Sequence, residues 1–259
     1  MNKIEIRTVE VVQYLKPLRE GGSLPAIVQA DDGFLYVLKF RGAGQGKKAL
    51  IAELIGGLLA KEIGLKVPEI VFMNLDDSFS KTEPDEEIQD LLKFSVGINL
   101  GLHFLSGAIT YDPLVSTADA LSASKVVLLD SMLSNIDRTA KNTNLLIWSN
   151  ELWLIDHGAS LYFHHNWPNW RTHLDRTFPT IKDHVLLAKA TQLDEALNDI
   201  KTLIIQDKIT KIVSLIPEVW LADDSSGMSS TEMRSAYVEF LVSRLAKIDL
   251  LAKEANDAR

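Results

Sequence analysis

Residues 135–158 constrain the chain more than any other stretch: Asn-Ile-Asp-Arg-Thr-Ala-Lys-Asn-Thr-Asn-Leu-Leu-Ile-Trp-Ser-Asn-Glu-Leu-Trp-Leu-Ile-Asp-His-Gly. They read as a polar loop, two short apolar strands around a turn, and a second acid followed by His-Gly. Asp137 and Asn142 stand five positions apart in the loop. Residues 144–148 and 152–155 are the apolar runs, and Ser149-Asn150-Glu151 supplies the turn between them. A hairpin of that length returns Asp156 to the side of Asn142. Two oxygen ligands then meet at one place, as a Mg²⁺ ion bridging nucleotide phosphates requires. The pattern is that of a phosphoryl-transfer site. Such a site needs a nucleotide-binding unit upstream.

The first hundred residues supply candidates for it. Residues 4–14 alternate as a strand does, with Ile4, Ile6, Val9 and Val11 as the apolar members. Glu20-Gly21-Gly22-Ser23 follows, then residues 24–30, the turn Asp31-Asp32-Gly33, and residues 34–40. Strand, glycine loop, strand, Asp-Gly turn and strand predict an antiparallel meander. Paired glycines let backbone N–H groups approach phosphate oxygens, so Gly21, Gly22 and Ser23 are candidates for nucleotide binding; a plain turn uses the same residues. A phosphate on Ser23 itself would occupy the same anion site.

Lys39 stands in Tyr-Val-Leu-Lys-Phe, a strand apolar on both faces. An inward-facing ammonium there requires an anion. Leu50, Ile51, Leu54, Ile55, Leu58, Leu59 and Ile63 recur at helical spacing, which predicts an amphipathic helix over 48–64. Glu53 borders its apolar stripe and is the best partner for Lys39, the alternative being a surface carboxylate; Glu62 reads as exposed. The intervening Arg-Gly-Ala-Gly-Gln-Gly-Lys matches neither a Walker A loop nor a dinucleotide fingerprint in its spacing. Residues 68–75 and 95–105 read as further strands. Ser106-Gly107-Ala108 breaks the second of these, a candidate hinge and adenine edge.

Beyond the hinge the pattern becomes helical. Helices are predicted over 117–133, 181–190, 194–206, 208–216 and 231–255, the last with a continuous apolar face. The aromatic and histidine-rich residues 162–173 have no cysteine or acid cluster to complete a metal site, so packing beneath the site is favoured over zinc.

Bulk composition sets outer limits. A chain of 259 residues, 46% hydrophobic and 24% charged, can bury one two-lobed core. A net charge of −8 argues against nucleic acid as the main partner. The absence of cysteine removes disulfides and thiolate nucleophiles. No apolar run suits a membrane span, and the charged N-terminus is unlike a signal peptide, so a cytoplasmic location is expected.

With these residues placed, the chain resembles the HipA-like kinases, in particular the compact HipA-like kinase domain proteins. The likeness rests on residues 36–40 and 53–68, and on the more specific blocks 135–144 and 153–159. It covers most of residues 20–175. The resemblance implies an α+β, bilobal, protein-kinase-like fold: an N-terminal nucleotide-binding lobe over 1–107, built on an antiparallel sheet with one helix, and a mainly helical catalytic lobe over 108–259. It also implies ATP with Mg²⁺, and transfer to serine or threonine of a protein substrate. Carried over by position, Asp137 orients the acceptor hydroxyl and takes its proton. Asn142 and Asp156 hold the metal, Lys39 holds the phosphates, and Glu53 pairs with Lys39. Ordinary protein kinases have lysine two positions after the catalytic aspartate; Thr139 is there, and Lys141 is the nearest replacement. His157 replaces the usual Phe. The chain is shorter than full HipA toxins, so the resemblance carries neither toxin activity nor an antitoxin partner. A small-molecule acceptor on the same fold, and a nucleotide-binding interaction module, are the competing readings.

Overall fold

The computed structural model describes residues 4–18, 24–44, 46–222 and 226–259. The chain begins with β1 (Thr8–Pro17), β2 (Ala26–Ala30) and β3 (Leu35–Lys39), then α1 (Gly46–Glu62) and β4 (Ile70–Leu75). Two helices, α2 (Ser78–Thr82) and α3 (Glu86–Phe94), precede β5 (Gly97–His103). A short β6 (Ile109–Thr110) and α4 (Ala120–Leu133) lead to the hairpin β7 (Leu145–Trp148) and β8 (Glu151–Leu154). The remainder is α5 (Leu193–Leu203), α6 (Gln206–Ser214), α7 (Glu218–Leu221), α8 (Ser230–Ala246) and α9 (Ile248–Ala258), with 3₁₀ turns between β8 and α5.

The meander β1-β2-β3 forms as the alternation predicts, but the sheet does not stay open. It closes into a barrel of order β1-β2-β3-β5-β4, and the closing pair is parallel, with Thr8, Val9 and Glu10 beside Phe72, Met73 and Asn74. The expected antiparallel sheet is corrected accordingly. Two register shifts in β1, at Val11/Gln13 and Tyr14/Lys16, bend the strand so that one end meets β2 and the other β4. That pairing joins segments about sixty residues apart, which local alternation cannot reveal. Val9, Val28, Tyr36, Leu38, Val71 and Met73 fill the interior.

α1 is buried almost all round, from Leu50 to Ala60. One side meets Leu100 and Leu102 of β5, and the rest joins the large core of α4 to α9. Each of its large aliphatic side chains contributes about 1.5–3 kcal/mol at most. The C-terminal helices reach back to hold it. Lys208 of α6 pairs with Glu62 at 2.6 Å, so Glu62 is not the free surface charge expected. Trp220 of α7 donates from Nε1 to the Ile98 carbonyl at 2.9 Å and packs edge-on against Phe72.

Two predicted helices are corrected. Residues 181–190 form 3₁₀ turns, Pro179–Asp183 and Leu187–Lys189, with His184 extended between them. The Val185 N–H bonds to the Arg138 carbonyl at 3.1 Å, and the His184 ring turns inward, which prevents a continuous helix. The long C-terminal helix is two, broken at Lys247, whose ammonium is drawn to the Leu174 carbonyl and the Asp175 carboxylate. The apolar face nevertheless continues through both parts. The aromatic segment packs as expected: Phe163 stacks on Phe240, with Trp167, Trp170 and Tyr237 around it. Among the described residues no helix is long and apolar enough to cross a membrane.

Candidate active site

Lys39 ends β3, where Leu38 points into the barrel and the lysine points out toward α1. Its Nζ lies 2.7 Å from Glu53 Oε2 and 2.7 Å from Asp156 Oδ1. Glu53 is fully buried, whereas Asp156 is about half exposed. Burial opposes charge on Lys39, but the two carboxylates outweigh it and raise the ammonium's pKa. Burial likewise opposes ionisation of Glu53. The ammonium of Lys39 and the hydrogen bond from His157 overcome it and hold the carboxyl far below its usual range. Glu53 Oε2 also accepts the His157 N–H at 2.7 Å. One carboxylate therefore ties the β3 lysine to the backbone that follows Asp156.

The approach of α1 to that backbone depends on Gly56. A Cβ there would stand 2.7 Å from His157 Cβ, closer than carbon atoms tolerate. The His157 ring is fully buried, with Nδ1 3.5 Å from Glu53 Oε1, beyond a good hydrogen bond.

The hairpin carries Asp156 into place as its length predicts, with a tighter turn. Ser149 and Asn150 alone form it, at φ of 52° and 62°, the left-handed pair that matches strand twist. At the other end Asn144 (φ 48°) and Asp156 (φ 54°) are also left-handed, and the Ile155 N–H closes on the Asn144 carbonyl at 3.1 Å. Asn and Asp accept this conformation better than other non-glycine residues, and it aims both side chains out of the strands.

Asp137 lies in the loop after α4. Its Oδ2 accepts from Asn142 Nδ2 at 2.8 Å and from Asn144 Nδ2 at 3.2 Å. Its own N–H is held by Asn135 Oδ1 at 3.2 Å. Two amides thus fix one carboxylate oxygen and orient the other.

Lys39, Asn142, Asn144 and Asp156 border one cleft of about 1000 Å³, whereas Asp137 and Glu53 stand behind its lining. Lys39, Asn142, Asn144 and Asp156 line its polar part, with Lys141, which is exposed. Val37, Leu102, Leu105, Leu146 and Ile155 make an apolar slot. Gly107 and Ala108 border the slot where the hinge was expected, and Trp148 Nε1 anchors that segment through the Ser106 carbonyl at 2.9 Å. Asn142 and Asp156 offer hard oxygens in the same space, the donor type a divalent cation shared with phosphates prefers. Among the described residues there is no cluster of three or more His, Cys, Asp or Glu, so an ion here would take only part of its shell from the protein.

Six of the nine residues singled out in the sequence are placed by the structure: Lys39, Glu53, Asp137, Lys141, Asn142 and Asp156. Gly21, Gly22 and Ser23 lie outside the described residues. Sequence reasoning missed Asn144, Gly56 and the buried side chains behind Asp137: Arg138, Asp130 and His184. The Asn-x-Asn pattern of Asn142 and Asn144 was a usable signal for the first of these.

A family model described as HipA-like kinase matches residues 11–251. No curated protein matches the chain. Among solved structures, the proinflammatory kinase CtkA of Helicobacter pylori is similar at a TM-score of 0.57 and 15% identity, covering 96% of this chain and 99% of that one. The Golgi casein kinase with Mn/ADP bound is similar at a TM-score of 0.53 and 10% identity, covering 99% of this chain and 74% of that one. A second structure of the Golgi casein kinase gives 0.51 and 11%, with the same coverage. At such identities the likeness establishes the fold: mixed α+β, of the kinase kind.

Proposed function

The chain belongs to the HipA-like kinase family, and we propose that it is an ATP- and Mg²⁺-dependent phosphotransferase acting on serine or threonine of a protein. The observation that carries this reading is the contact of Lys39 with both Glu53 and Asp156 at 2.7 Å, at the polar end of the cleft that Asn142 lines. The nucleotide lies between an N-terminal lobe, 1–107, and a C-terminal lobe, 108–259. Its base occupies the apolar slot beside Leu105 and Ala108, and its phosphates reach Lys39; Gly21, Gly22 and Ser23 remain the sequence's candidates for further phosphate contacts. Asn142 and Asp156 would hold the metal, which would supply neutralisation of phosphate charge.

The remaining chemistry belongs to this chain's own side chains. Lys39, kept protonated by its two carboxylates, turns toward phosphate oxygens when they arrive, while Glu53 keeps its hold on the ammonium. Asp137 orients the acceptor hydroxyl and accepts its proton as that oxygen attacks. The amides of Asn142 and Asn144 keep the carboxylate from rotating. Lys141 is exposed at the mouth, where its charge meets the transferring phosphoryl group. Positioning and electrostatics supply most of the acceleration in such a site.

The test is incubation with γ-labelled ATP and Mg²⁺, alone and with cell lysate, beside Asp137→Ala and Asp156→Ala. Label is expected in protein, at serine or threonine, and both variants are expected to abolish it. Label confined to small molecules would replace the acceptor class. Transfer that persists in Asp156→Ala would overturn the metal assignment.

A further inference from the structure

Behind Asp137 lies a buried charged cluster that the proposed chemistry does not use. Asp130, in the last turn of α4, has no exposed surface. Arg138 Nε reaches its Oδ2 at 2.6 Å and His184 Nε2 reaches the same oxygen at 3.0 Å. Asn135 Nδ2 reaches Oδ1 at 2.9 Å. His184 Nδ1 accepts the Leu186 N–H at 3.1 Å, which leaves the ring hydrogen on Nε2, directed at Asp130. The cluster is fully buried yet stands on the loop that carries Asp137: Asn135 holds the Asp137 N–H, and Arg138 is the next residue.

The far end of Arg138 is what gives the cluster a task. Its Nη1 donates to the Asn144 carbonyl and, at 3.3 Å, to the Ile155 carbonyl. Those two carbonyls belong to the last residues of the hairpin before its strands turn into the cleft. The Ile155 carbonyl is part of the peptide whose nitrogen is that of Asp156. Asn144 and Asp156 both hold left-handed backbone, which costs about 1 kcal/mol or more each and persists only where neighbours enforce it. One planar guanidinium therefore spans helix α4, the Asp137 loop and both ends of the hairpin.

We infer that Arg138, held by Asp130, is the positioning residue that fixes Asp156 relative to Asp137. This rests on the kinase reading above. Lysine could satisfy the charge of Asp130 but not the two carbonyls as well, because an ammonium lacks the rigid fork. Replacing both buried partners by apolar side chains is often tolerated by the fold, but it removes the bonds to the Asn144 and Ile155 carbonyls, so metal binding reports the positioning role separately from stability.

The deciding measurement is Mn²⁺ binding by electron paramagnetic resonance in the presence of ADP, on the full chain, with ADP affinity in EDTA measured alongside. The variants are Arg138→Lys and the double substitution Asp130→Leu with Arg138→Met. Both are expected to weaken Mn²⁺ binding at least tenfold while metal-free ADP affinity stays within twofold; the double variant, which also leaves Asn135 Nδ2 and His184 Nε2 without their acceptor, is expected to fold with a lowered Tm. Wild-type Mn²⁺ affinity in either folded variant overturns the inference, as does an equal loss of Mn²⁺ and metal-free ADP affinity, the mark of a general loosening rather than of a displaced Asp156. Wild-type protein that binds ADP but gains no Mn²⁺ site with it would instead overturn the metal assignment of the proposed function, and this inference with it.

Discussion

Lys39 meets two carboxylates, and they have different tasks. Glu53 is buried and already bonded twice through Oε2, so it stays when a nucleotide enters; Asp156 is half exposed and can exchange Lys39 for a cation. Glu53→Gln separates the two. The amide still accepts the His157 N–H, but Lys39 is left with Asp156 alone, which competes with the metal for that carboxylate. The expected result is a loss of about 1–3 kcal/mol in stability, the range for a charged hydrogen bond, and a fall in kcat of about a hundredfold. Urea unfolding and steady-state kinetics check it, and kcat within twofold of wild type would show that Glu53 has no part in placing Lys39. This pair was legible in the sequence because a lysine in a strand apolar on both faces, followed by an acid beside a helical stripe, leaves few physical solutions. Asn144 and Arg138 were less legible. A polar residue in a polar loop looks the same whether it faces solvent or folds back onto an aspartate seven or eight residues away.

At the scale of elements, the site depends on how closely α1 approaches the turn after β8. Gly56 makes that approach possible, and it sits mid-helix, where glycine costs about 1 kcal/mol relative to alanine. Gly56→Ala would relieve that cost in an isolated helix. Here the added methyl meets His157 Cβ, which sits on backbone fixed to Glu53, so the clash must be absorbed by moving either α1 or the Asp156 turn. We expect a net destabilisation of about 1–2 kcal/mol, overpacking outweighing propensity, and a larger relative loss of activity. Thermal melts and turnover measured together would show it, and a stabilised, fully active variant would refute the account. The helix itself was evident from its apolar repeat. The barrel was not, because its closing pair is parallel and distant in sequence, and period-2 alternation carries no information on which strands meet. The helix expected over 181–190 failed for a related reason: its apolar spacing is helical, but His184 and Val185 are claimed by Asp130 and Arg138.

Across the whole molecule the buried titratable groups set an acid limit in two stages. His164 lies in the aromatic core, its Nδ1 3.0 Å from the Tyr237 hydroxyl. Burial first, then the nearby charges of His165 and Lys48, push its pKa well below 6.5. His165 and His173 are lowered too, chiefly by burial. A base with a lowered folded pKa is protonated more readily in the unfolded chain, so stability falls as pH drops below 6.5. Glu53 and Asp130 act in a second, more acid window. Despite their burial, Lys39 and Arg138 depress their folded values, so their contributions are full above about 4.5 and 3.8 and are lost as pH falls toward the folded pKa. Lys39 behaves oppositely: its contribution is complete below 10.5 and fades only in stronger alkali. Stability should therefore decline in two steps below about pH 7. Each of the fully buried groups, His164, Glu53 and Asp130, contributes up to about 1.4 kcal/mol per pH unit within its window, and the more exposed His165 and His173 contribute less. Urea unfolding at half-unit intervals from pH 7.5 to 4 would trace the decline. His164→Gln removes the most buried of the three histidines, and we expect it to flatten the step between pH 6.5 and 5 while leaving the lower one in place. An unchanged slope in that variant would show that the aromatic core opens enough to hydrate His164 before the fold is lost.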